Sequence, residues 1–120
     1  MKPERLPAAL LRLEGAALFA AAIALYVDQG FSALAFFALI LAPDVSLLGY
    51  LAGPRAGALT YDVVHFEALP IALGTIGVLG GSDVAVQVAL IWLAHLGFDR
   101  LLGYGLKYPT AFADTHLQRV

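Results

Sequence analysis

Apolar residues along this chain fall into four blocks separated by short polar or glycine-rich breaks. Positions 15–27, 29–43, 68–82 and 84–98 each run 13 to 15 residues without a charge. A helix over such a run covers only about 20–22 Å at 1.5 Å per residue, and the hydrocarbon core of a bilayer is about 30 Å thick. Each helix must therefore reach past its run and carry polar side chains to membrane depth. The pattern predicts an all-α, four-helix transmembrane bundle of up-down-up-down topology in one domain. Its helices lie at about 6–27, 31–52, 58–79 and 84–102, and a polar C-terminal tail occupies 103–120.

The breaks have their own signatures. Pro7 is tolerated in the first turn of helix one. The sequence Asp28-Gln29-Gly30 and the run Gly80-Gly81-Ser82-Asp83 read as tight turns. The stretch Gly53-Pro54-Arg55-Ala56-Gly57 breaks the chain between helices two and three, and Pro70 is placed to kink helix three. Gly77 and Gly81 form a pair of small residues four apart that permits close helix contact, within one molecule rather than between two. The start, Met1-Lys2-Pro3-Glu4-Arg5, resembles the basic end of a signal peptide. Arg12 and Glu14 interrupt the apolar stretch behind it, and no small-residue cleavage site closes that stretch. The segment is expected to remain as the first membrane helix.

Composition fixes the class. Hydrophobic residues make up 61% and charged residues 13%, about half of the roughly 25% charge of a soluble protein. Too few charges remain to cover four helices with a water-facing side. The absence of cysteine excludes disulfides and thiolate ligands. The net charge of −2, with no basic patch, excludes a nucleic-acid partner. All seven Lys and Arg residues fall on one side of the expected bundle. By the positive-inside rule both termini face the cytoplasm, in a multi-pass protein of the inner (plasma) membrane.

The ionisable residues gather on that same side. Helix one is polar at its start (Arg12, Glu14) and helix two near its end (Asp44). Helix three is polar at its start (Asp62, His65, Glu67), and helix four at its end (His95, Asp99, Arg100). His95 and Asp99 are four apart and share a helical face. Asp44, His65, His95 and Asp99 thus converge from three helices. Two imidazoles and two carboxylates suffice to hold one divalent metal, zinc or else iron or manganese. Tyr61 or Asp62 is spaced to orient His65, whereas Glu67 points about 200° away from it around a helix. Glu14 is the candidate general base for a metal-bound water. Arg100 and Lys107, with Tyr104 beside them, would bind an anionic, lipid-like head group. Trp92, Tyr50, Tyr104 and Tyr108 also suit an interfacial aromatic belt, and His116 belongs to the surface of the tail.

The same residues admit two other readings. One is a hydrogen-bonded polar layer, in which acids pair with Arg12, Arg55 and Arg100 and the cluster only fixes helix register. The other is an ion or proton path. A path needs an exit, and the far half of every helix lacks ionisable groups. The non-enzymatic alternative is a small transporter subunit or a structural module. Nothing in the sequence calls for a homo-oligomer.

Four stretches carry a resemblance: Arg12-Leu13-Glu14-Gly15, 43–50, 57–65 and 95–108. They resemble a family of small bacterial four-helix integral membrane proteins known as a domain of unknown function, over nearly the whole chain. That resemblance implies the four-helix membrane fold and no activity. More distantly, the order Pro-Asp, then His, then His-x-x-x-Asp is similar to inner-membrane metal-dependent hydrolases. It implies a hydrolase role for Asp44, His65, His95 and Asp99 alone.

Overall fold

The computed structural model describes residues 5–106; Lys107, Tyr108 and His116 lie outside the described residues. These residues form helix only, with no strand among them. The elements are α1 (Leu6–Asp28), α2 (Ala33–Leu39), a 3₁₀ segment (Ala42–Ala52), α3 (Pro54–Val64), α4 (Ala68–Gly80) and α5 (Asp83–Leu102). They make an all-α, four-helix arrangement. Four stretches are long and apolar enough to cross a membrane: Leu6–Asp28, Ala33–Ala52, Pro54–Gly80 and Asp83–Leu102. Large apolar side chains such as Leu34, Leu51, Val78 and Leu79 lie on the outside, a surface that suits a lipid surrounding.

Local chemistry closes two of the three turns between spans. Ser32 and Ser82 accept from the main-chain amides of Ala35 and Ala85, capping α2 and α5. Gly81 and Gly103 take left-handed φ values of 71° and 95° after the last turns of α4 and α5, where a residue without Cβ costs least. Gly81 is therefore a turn residue. Of the expected small-residue pair only Gly77 packs: a Cβ there would fall 2.9 Å from that of Ala85 and 3.0 Å from Val86. The contact is intramolecular, between α4 and α5.

Two of the four spans are interrupted. The sequence pattern predicts helix two unbroken over 31–52, yet α2 stops at Leu39 and the chain resumes as a 3₁₀ segment. Pro43 explains the stop, because it lacks an N–H and its ring opposes the carbonyl of Leu39 four residues back. The pattern places helix three over 58–79. In the structure it starts earlier, with Pro54 at its first position, and breaks across His65–Glu67. Pro70 then sits in the first turn of α4, where a missing N–H leaves nothing unpaired. The predicted kink is a full break.

Eleven residues is long for a 3₁₀ helix, which seldom exceeds 3–4 residues unaided. Here α3 lies along it. Thr60 donates to the carbonyl of Ser46 at 2.9 Å, and Gly57 leaves room for the ring of Tyr50, which a Cβ would meet at 2.2 Å. Ser46 donates to the carbonyl of Pro43 at 2.7 Å.

α5 is the central element, packed against both α1 and α4, and it buries far more of its length than the other spans. α1 and α5 cross at Gly15 and Gly97. A Cβ on Gly97 would fall 2.6 Å from the amide nitrogen of Phe19, and one on Gly15 would fall 2.4 Å from the Cβ of Arg100. Backbone meets backbone at that crossing. Toward the other end, Tyr26, Leu90 and Ile91 form a small apolar core with Phe31, Phe36, Ile40 and Val86 around it.

Candidate metal centre

An interrupted helix leaves main-chain carbonyls without their usual amide partners, and in an apolar surrounding each must be satisfied some other way. α5 supplies the donors. Trp92 Nε1 donates to the carbonyl of Val64 at 2.6 Å, His95 Nδ1 to that of Ile40 at 2.6 Å, and Arg100 to that of His65 at 3.0 Å. These acceptors lie at the two breaks. Arg100 also donates to the carbonyl of Tyr104 at 2.8 Å, and Arg12 Nε to that of Leu101 at 2.9 Å. Arg12 and Arg100, expected as partners for buried acids in the polar-layer reading, thus make these bonds to main chain. Trp92, expected in an interfacial belt, seals the break at Val64.

The two histidines stand between these bonds and the cluster. His65 is fully buried, at the break after α3. Its Nδ1 lies 2.9 Å from the carbonyl of Tyr61, and its ring stacks on that of Tyr61 with centroids 3.6 Å apart. A carbonyl only accepts, so Nδ1 of each histidine carries the hydrogen. In the neutral imidazole Nε2 then presents a lone pair. Both lone pairs point inward, with the two Nε2 atoms 3.2 Å apart. Asp44 Oδ1 lies 3.4 Å from Nε2 of His65 and 3.1 Å from that of His95. Asp99 Oδ2 lies 3.5 and 3.2 Å from the same two atoms.

The structure thus brings Asp44, His65, His95 and Asp99 together, one ligand atom from each within 4.8 Å of the others. Four acceptor atoms of neutral imidazoles and ionised carboxylates face one another, an arrangement that repels itself unless a cation or added protons fill it. The spacing suits a cation. A tetrahedron with metal–ligand bonds of about 2.0–2.1 Å has six edges of about 3.3 Å; five of the separations here span 3.1 to 3.5 Å, and the sixth, between the two carboxylates, is no more than 4.8 Å. The outer contacts suit it as well: a histidine that ligates through Nε2 ordinarily donates Nδ1–H to a carbonyl or carboxylate. The Tyr61 hydroxyl adds a bond to Asp99 Oδ2 at 3.4 Å.

The cluster is closed on one side. Both histidine side chains are almost wholly buried and Asp99 is 14% exposed, whereas Asp44, on the 3₁₀ segment, is 39% exposed. Asp44, His95 and Asp99 line a cavity of about 380 Å³. Its walls are Phe19, Phe36, Phe37, Ile40, Leu41 and Phe98.

The other candidates lie elsewhere. Glu14, the expected general base, does not line this cavity. With Glu67 and Arg100 it borders a separate one of about 190 Å³. Arg100 is buried and faces that second cavity. Tyr104 is half-exposed beyond the end of α5. The carbonyls of Ile40, Tyr61, Val64 and His65 had no signature in the sequence beyond Pro43 and Pro70. Gly15 and Gly97, which let α1 approach the Arg100 end of α5, were not among the packing glycines expected from the sequence.

Comparison with known proteins gives a family and no activity. No curated protein and no solved structure matches the chain. A family described as a domain of unknown function (DUF4260) matches residues 8–120. The chain belongs to that family.

Proposed function

We propose that this member of a family without an assigned activity is a multi-pass membrane protein that binds one divalent metal through His65, His95, Asp44 and Asp99. One observation carries the reading. Both imidazoles are turned by carbonyl bonds on Nδ1 so that their Nε2 atoms meet at 3.2 Å, between two carboxylates. The donor set of two nitrogens and two oxygens suits zinc, or iron or manganese, over softer ions.

The finer reading is hydrolysis of a lipid-like substrate in the cavity beside Asp44. A bound metal would supply Lewis acidity and a water of lowered pKa. Catalytic centres of this kind keep one position open. Asp44 is the candidate for that position, because it is the exposed member and comes from the less regular element. His65, His95 and Asp99 would form the fixed face. Glu14 borders a different cavity, so Asp44 rather than Glu14 is the candidate base. The competing reading closes the cluster with protons and makes it a structural layer: a protonated histidine would sit within 3.5 Å of two carboxylates.

Elemental analysis of protein purified in mild detergent separates the two. About one metal per chain is expected for the metal centre, and none for the protonated layer. Orientation is tested separately. The seven basic residues predict both termini in the cytoplasm, so reporter fusions at Val120 and in the turn at Gly81 should give opposite signals. A periplasmic C-terminus would overturn that orientation.

A further inference from the structure

The cavity beside the cluster differs in charge from the site first expected for a lipid head group. Among the described residues, neither Arg100 nor any other Lys or Arg lines it. Arg100 faces the other cavity, with its guanidinium bound to the carbonyls of His65 and Tyr104. Four phenylalanines and two aliphatic residues line it, and among the described residues its polar lining groups are all members of the cluster. Phe19 and Phe98 pack together at 5.3 Å between ring centroids, joining α1 to α5 along one wall.

Charge balance fixes the kind of occupant. This step rests on the metal reading above. Two ionised aspartates and one divalent cation sum to zero, so the filled centre offers no net positive charge to an anion. An anion on the metal would lose its hydration and leave the centre with a net negative charge in an apolar cavity. An uncharged molecule with one oxygen donor on a long apolar body suffers no such loss. Its chain would lie against the phenylalanines and its oxygen would meet the metal beside Asp44. The cavity walls include exposed residues of the lipid-facing surface, Phe37 and Leu41, so entry from the bilayer is direct. From these observations we infer that the centre takes an uncharged lipid-like ligand, an alcohol, amide or ester, and discriminates against anionic lipids.

The test uses full-length protein in phosphatidylcholine nanodiscs, loaded with cobalt(II) and freed of excess metal. Dodecanamide and dodecanoate are then titrated, and the visible bands of the bound cobalt are recorded. The two probes have equal chains, and the carboxylate is the stronger metal donor in water. Dodecanamide is expected to shift the bands saturably and dodecanoate is not. Leu41→Trp and Phe37→Trp place a larger ring at the cavity's exposed lining, at positions outside the ligand set. Each should keep the wild-type cobalt bands, which reports an intact fold, and weaken the amide response at least about tenfold. Cobalt uptake with no amide response, or with a stronger response to dodecanoate, overturns this inference and leaves the metal centre standing. An amide response unchanged in both variants overturns it as well, by placing the ligand elsewhere. Failure of the wild type to take up cobalt overturns the metal reading and this inference with it.

Discussion

α5 and the two spans it faces solve the same problem in opposite ways. α5 runs unbroken from Asp83 to Leu102, so its main-chain groups satisfy one another and its side chains are free to donate. The spans Ala33–Ala52 and Pro54–Gly80 are each interrupted near their middle and contribute main-chain acceptors. Trp92, His95 and Arg100 reach from the continuous helix to carbonyls at the breaks. Two breaks in an apolar surrounding would otherwise leave several polar groups unpaired, each costing about 1–3 kcal/mol. The difference teaches where chemistry can be built in so greasy a chain. Irregular backbone persists where side chains of α5 reach its carbonyls, and carbonyl bonds on Nδ1 turn the two imidazoles inward.

The sharpest way to break this contrast is to remove the residue that serves both sides. His95→Ala deletes one ligand and the donor to the Ile40 carbonyl at once. With a metal centre, affinity should fall by more than about 100-fold, since loss of a mere outer-shell contact already costs 10–100-fold. Paired thermal melts with and without chelator check this. Chelator should destabilise the wild type and leave His95→Ala unchanged. Identical wild-type curves would show a cluster held by protons, and His95→Ala would then lose only a hydrogen bond or two, about 1–3 kcal/mol.

The ionisable cluster was legible because of its background. In a chain with so few charges, Asp44, His65, His95 and Asp99 at matching depth stood out, and up-down topology placed them on one side. The four-helix class was legible for the same reason. The interruptions were not. A proline near a helix end reads as a kink or a boundary, and sequence spacing alone does not say that the chain before Pro70 unwinds. Once the chain is read as broken at His65–Glu67, the helical angle between His65 and Glu67 loses meaning, because no single helix joins them. The position of Glu14 was hidden by a related simplification. The sequence pattern places it at the level of the cluster, but α1 meets α5 near Arg100, and Glu14 borders the other cavity.

A second test asks whether α5 must be held close for the contrast to matter. Gly97→Ala puts a Cβ 2.6 Å from the Phe19 amide nitrogen and 2.8 Å from the Gly15 carbonyl, both backbone atoms that cannot swing aside. Overpacking of this kind costs about 1–3 kcal/mol, and it should lower the melting temperature in detergent. Gly80→Ala is the control, because a Cβ there meets nothing within 4 Å. Its melt should match the wild type or rise slightly. Equal effects of the two substitutions would show that the α1–α5 crossing does not position the site.

The smallest expected effect isolates one bond between the two kinds of span. Trp92→Phe keeps a ring of similar character on α5 and removes the N–H that reaches the Val64 carbonyl at 2.6 Å. Val64 is the last residue of α3, so its carbonyl has no amide one turn on to replace the loss. If the surrounding stays dry, the orphaned acceptor should cost about 1–2 kcal/mol. Metal content should not change, because His65 is held separately by Tyr61 and Arg100. A lower melting temperature with full metal content is the expected result. A drop in metal content would mean that the break and the cluster form one cooperative unit, with Trp92 setting the position of His65. An unchanged melt would mean that water reaches the break, and the view of Trp92 as its seal would be wrong.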